Sequence, residues 1–66
     1  MKLTEEQTKI LELLVQGKTN MQIANELGYS DRSVKRKLQK LKKLFQVENR
    51  TALTSAFLSV RFGDLI

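Results

Sequence analysis

Cysteine, histidine, proline and tryptophan are all absent from this sequence. Without cysteine there is no disulfide, and without cysteine or histidine a structural zinc site lacks its usual ligands. Without histidine, no side chain with an ordinary pKa changes charge near neutrality, which removes the commonest general acid and base. The three glycines stand alone, at Gly17, Gly28 and Gly63, so no glycine-rich phosphate loop is present. Neither an enzyme nor a bound cofactor or metal is expected. No apolar run approaches the roughly 18 residues of a membrane span. Met1-Lys2 leads directly into Leu3-Thr4-Glu5-Glu6, with no secretory signal. A cytoplasmic protein with no membrane partner is the simple expectation. Aromatic residues are few, three Phe and one Tyr, and most fall within apolar stripes. They offer little for stacking on unpaired RNA bases.

What remains is a chain of 66 residues, long enough for one domain spanning 1–66. A domain this short buries only roughly 60% of its unfolded surface, so its core is small. Its charge is unevenly distributed. Residues 30–45 hold seven basic residues (Arg32, Lys35, Arg36, Lys37, Lys40, Lys42, Lys43) and one acid, Asp31. Elsewhere five basic and six acidic residues nearly cancel, so the net charge of +5 comes entirely from this one segment. A localised basic element marks a surface for a polyanion; a solvated helix face is the alternative, and it usually intersperses acids.

With no proline, helix is permitted throughout. Thr4 followed by Gln7 has the form of a capping box and starts a helix at about 5–16, with Glu5 and Glu6 at the positive end of its dipole. Thr19 and Gln22 repeat the pattern for a second helix at about 20–27. Gly17 and Gly28 are expected as left-handed terminators. After the turn Gly28-Tyr29-Ser30, Ser30 caps a third helix over about 30–45. Val34, Leu38, Leu41 and Phe45 make one stripe on it, widened by Leu44. Asn49 caps a fourth helix at about 50–61, and Gly63 ends it. The expected core is Ile10, Leu13, Leu14, Ile23, Leu27, Val34, Leu38, Leu41, Val47, Leu53, Phe57 and Val60, with Leu38 at its centre. The expected fold is therefore all-α, with four helices.

Two helices joined by a three-residue turn containing glycine have the sequence form of a helix-turn-helix. Ala24 is small where the helices cross. Opposite the apolar stripe of the third helix, 100° steps place Arg32, Arg36, Gln39 and Lys43, flanked by Lys35 and Lys40. Arg and Lys donate to guanine O6 and N7, and Gln pairs with the adenine edge, in a groove that admits an α-helix. Arg32, Lys35, Arg36 and Gln39 are the candidates for base edges, since the N-terminal half of such a helix faces the bases. Lys40 and Lys43 are candidates for phosphate. The helix starts at Thr19, Asn20, Ser30 and Ser33 add hydroxyl and amide donors suited to phosphate.

Leu3-Thr4, Ile10-Leu11, Gly17, Thr19-Asn20, Ile23-Ala24, Leu27, Ser30, Ser33-Val34-Lys35 and Val47-Glu48-Asn49-Arg50-Thr51 follow one order and spacing. In this the chain resembles the LuxR/GerE-type helix-turn-helix family over nearly its whole length. The trailing V-x-N-R-T is the specific part. The resemblance implies a four-helix domain whose third helix enters the major groove of double-stranded DNA to regulate transcription. By it, Lys35, Arg36 and Gln39 contact DNA, and Thr19 and Asn20 hold phosphate. It also implies a two-fold dimer through the fourth helix. Glu6, Gln7 and Lys9 stand where the family has Arg, Glu and Glu, and Lys37 replaces a frequent His. Leu53, Thr54 and Phe57 alter the fourth helix, leaving Leu58, Phe62 and Ile66 as the candidates for a homodimer contact. Met1 directly before the domain points to a short protein working alone; an excised domain is the alternative.

A competing reading is a protein-interaction module on the same fold, an anti-activator or an RNA polymerase adapter resembling region 4 of a sigma factor. An exposed apolar surface on the fourth helix would favour it.

Overall fold

The computed structural model describes the backbone of residues 2–63 and the side chains of residues 2–60. Within them lie four helices and no strand: α1 Glu5–Val15, α2 Asn20–Leu27, α3 Asp31–Leu44 and α4 Arg50–Gly63. The all-α, four-helix expectation holds.

Local hydrogen bonds explain where each helix begins. Thr4 Oγ1 accepts from the Gln7 amide at 3.1 Å, and Gln7 Oε1 accepts from the Thr4 amide at 2.9 Å. Thr19 and Gln22 repeat the exchange at 3.2 and 2.8 Å. Both are reciprocal capping boxes, each satisfying two amides that a bare helix end would leave open. Ser30 Oγ accepts from the Ser33 amide at 3.1 Å, and Asn49 Oδ1 accepts from the Ala52 amide at 2.7 Å.

The helix ends are equally specific. Beyond α1, Gly17 takes φ +84° while the Lys18 amide reaches the Leu13 carbonyl at 3.2 Å. Gly28 ends α2 at φ +74°. α3 closes in the same way as α1 but without glycine. Gln46 takes φ +59°, the Gln46 amide donates to Lys43 at 3.1 Å, and the Val47 amide donates to Lys42 at 2.9 Å. This pair of bonds is the Schellman arrangement, which turns the chain sharply toward α4. Gly63 does not lie beyond the last helix, since α4 runs through it.

The core is built from Ile10, Leu11, Leu13, Leu14, Ile23, Ala24, Val34, Leu38, Leu41, Leu53 and Phe57. Several expectations need correction. Leu11 is buried: α1 packs against both α2 and α4, so more than one face of it is covered; Ala24 joins the core too, in keeping with its place where α2 and α3 cross. Leu27 and Val47 are only half-buried, because each sits where a helix ends and one flank is open. Val60 is also half-buried. Leu44 does not widen the stripe; it is 44% exposed, one residue before the chain turns away from the core. Leu38 is buried but is not the centre. At 6% exposure it forms part of the floor of a surface concavity, whereas Leu11, Ile23 and Val34 are fully enclosed and Leu41 nearly so. The most extensive helix contact among the described residues is between α2 and α3, which holds the helix-turn-helix as one unit.

Candidate nucleic-acid interface

α3 buries Val34, Leu38 and Leu41 and turns Arg32, Lys35, Arg36, Gln39, Lys40 and Lys43 to solvent. All six were candidates from the sequence, and they share one exposed surface. Asp31 is the only acid on this helix, and its carboxylate lies 3.5 Å from Lys35 Nζ. Both groups are well exposed, so water and salt weaken the pair and leave Lys35 available. Arg32, Arg36, Lys40 and Lys43 have no carboxylate partner among the described residues.

Lys37 and Lys42 depart from this face and are half-buried. Lys37 Nζ donates to Glu6 Oε1 at 2.9 Å and sits 5.0 Å from the Tyr29 ring centroid, while the Tyr29 hydroxyl donates to Glu6 Oε2. One carboxylate of α1 thus gathers the turn and the recognition-helix candidate together. The Tyr29 hydroxyl and then the Lys37 ammonium hold the Glu6 carboxyl below its ordinary pKa. In return, the hydrogen bond to Glu6 raises both the Tyr29 phenol and the Lys37 ammonium. Glu6 and Lys37 are two of the departures from the family pattern, and they face each other as opposite charges.

The expected phosphate donors lie at the starts of α2 and α3. Thr19 is exposed, its oxygen occupied by the Gln22 amide and its hydroxyl proton still free to donate. Ser30 and Ser33 are tied together, Oγ to Oγ, at 3.1 Å. Asn20 is half-buried, and its Oδ1 accepts from the Arg50 guanidinium, which also donates to the Lys18 carbonyl. Sequence reasoning gave Arg50 no role beyond its place in V-x-N-R-T. Around this contact lies a concavity of about 250 Å³, rimmed by Asn20, Lys35, Gln39, Lys42 and Arg50 over a floor of Leu38 and Leu53. Residues from α2, α3 and α4 therefore converge on one cationic cleft beside the exposed face of α3.

The dimer candidates fare differently. Leu58 is half-buried and borders a shallow depression with Thr51, Thr54 and Ser55. The Phe62 side chain and Ile66 lie outside the described residues. Among the described side chains, the exposed large apolar residues are Met21, Tyr29 and Leu44, and none of these lies on α4.

The family model of bacterial regulatory proteins, luxR family, matches residues 1–57. The chain belongs to this family. The match covers the helix-turn-helix, the V-x-N-R-T segment and the first half of α4. The luxR family is one of helix-turn-helix DNA-binding regulators of transcription, not of enzymes. No curated protein and no solved structure matches the chain. No described helix is long and apolar enough to cross a membrane.

Proposed function

We propose that α3 is the recognition helix of a sequence-specific regulator and lies in the major groove of double-stranded DNA. The observation that carries this is the surface of α3. Its apolar side is spent on the core, and the rest presents five cations and one amide with a single acid. Arg32, Lys35, Arg36 and Gln39, toward the N-terminal half, face base edges. Lys40 and Lys43, further along, hold phosphate, together with Thr19, Asn20, Ser30 and Ser33 at the helix starts. The Thr19–Gln22 capping box leaves the Asn20 and Met21 amides unpartnered among the described residues, so α2 offers donors at the positive end of its dipole.

One copy of so small a domain offers a limited footprint, about 600–1,000 Å² for single modules. Specific binding therefore uses two copies on a two-fold site, as a dimer that is weak in free solution and paired on DNA. Its contact is the C-terminal segment from α4 onward, through Leu58, Phe62 and Ile66. RNA polymerase is a further partner of this reading, and the cytoplasm its location. The protein-interaction alternative gains no support from α4, where no described large apolar side chain is exposed.

The test is fluorescence anisotropy on a mixed-sequence duplex across a salt series. Affinity should fall steeply with salt, and Lys43→Ala should weaken every sequence alike and flatten the log–log slope by about 1. Binding that ignores salt would reject the reading.

A further inference from the structure

Arg50 is the first residue of α4, yet its guanidinium reaches to the junction of α1 and α2. One arm donates to Asn20 Oδ1 and the other to the Lys18 carbonyl. A guanidinium only donates, so Asn20 must present its oxygen to Arg50 and turn its amide nitrogen the other way. That nitrogen has no partner among the described residues, and Asn20 borders the cationic cleft that also holds Lys35 and Gln39. Arg50 lies 30 residues from Asn20 and 32 from Lys18, and the Asn20 side chain makes no other hydrogen bond among the described residues. We infer that Arg50 is a positioning residue for DNA binding: it locks the Asn20 amide so that its nitrogen donates to a backbone phosphate at the start of α2. This rests on the reading of α2 and α3 as the DNA-facing surface.

The mechanism makes a sharp demand on chemistry. A planar fork grips two acceptors at once, and an ammonium, although equally charged, does not reproduce it. Arg50→Lys therefore keeps the charge near DNA but releases Asn20. A direct Arg50–phosphate contact would instead depend mainly on charge, and lysine would largely preserve it.

The experiment measures affinity of the wild type, Asn20→Ala, Arg50→Lys and the double variant for a mixed-sequence duplex of 20 base pairs at fixed salt, with far-UV melts of each. A hydrogen bond to phosphate of ordinary net strength predicts a loss of roughly three- to tenfold for each single variant. The double variant should be no weaker than the worse single, because Arg50 acts through Asn20. Two results overturn the inference: Arg50→Lys binding as the wild type does, or losses that multiply in the double. Asn20→Ala leaves the Arg50 bond to Lys18 in place, so it stays folded and decides the matter if Arg50→Lys melts early; unchanged binding by Asn20→Ala overturns the inference too. Arg36→Ala is carried alongside on a duplex selected by the wild type. Wild-type protein that binds neither duplex removes the DNA reading itself. Binding that depends on Arg36 with Asn20 and Arg50 uncoupled removes only this inference.

Discussion

Replacing Gln46 with glycine should stabilise the domain. Gln46 occupies the left-handed position that closes α3, at φ +59°, and it is the only non-glycine there among the described residues. For a residue with a Cβ, that conformation costs about 1–2 kcal/mol. Glycine removes the cost but gives the unfolded chain extra freedom, which returns about 0.4–1 kcal/mol. The Gln46 side chain is exposed and makes no hydrogen bond among the described residues, so truncating it forfeits nothing else. The backbone bonds to Lys43 and Lys42 survive. The net gain is about 0.5–1 kcal/mol, or about 2–8 °C in melting midpoint for a domain of this size. Gly28→Ala is the mirror experiment. A Cβ there would meet nothing within 4 Å, so the whole penalty is the backbone at φ +74°, and a comparable loss is expected. Thermal melts followed in the far ultraviolet, with urea titrations for the slope, read both variants. A Gln46→Gly midpoint at or below that of the wild type would refute the reasoning.

Other outcomes follow from the same packing. Leu41→Ala should fall nearer the upper end of the roughly 2–5 kcal/mol typical of buried leucine truncation than Leu38→Ala, because Leu41 is 1% exposed and Leu38 6%; denaturant midpoints in the reverse order would contradict this. The Glu6 carboxyl is held below its ordinary value of 4.5, so the stability it adds is present above that pH and lost as pH falls through the lowered value. The gap in melting midpoint between the wild type and Glu6→Gln should therefore be constant near neutrality and close below about pH 4.5; a gap independent of pH would remove the brace. Leu58→Glu should weaken binding to a palindromic site while leaving a half-site and the helix signal unchanged; equal loss on both sites would reject the α4 dimer.

Much of the fold was legible because its signals are local. A capping box needs only Thr and Gln three residues apart, and the boxes at Thr4 and Thr19 formed as read. The exposed set on α3 followed from 100° steps away from Val34, since a helix carries its geometry in its own spacing. What periodicity could not report was the number of neighbours around each helix. Leu11 is buried because α1 is packed on by two helices, and Leu44 is exposed because the chain turns away just beyond it. The Gln46 turn escaped notice because its position gave no glycine to mark it. The Glu6–Lys37 and Arg50–Asn20 contacts join residues about 30 positions apart, beyond any local rule. One clue was present for the first pair: both residues depart from the family pattern, and with opposite charge.

The central claim is that the exposed face of α3 reads base sequence, and selection from a random duplex library tests it most directly. Wild-type protein should converge on one sequence, with two-fold symmetry if it binds as a pair. Arg36→Ala and Gln39→Ala should each relax the preference at particular base pairs, by about 1–3 kcal/mol where the contact is bidentate. No enrichment by the wild type, or an Arg36→Ala consensus and affinity identical to the wild type's, would contradict the account.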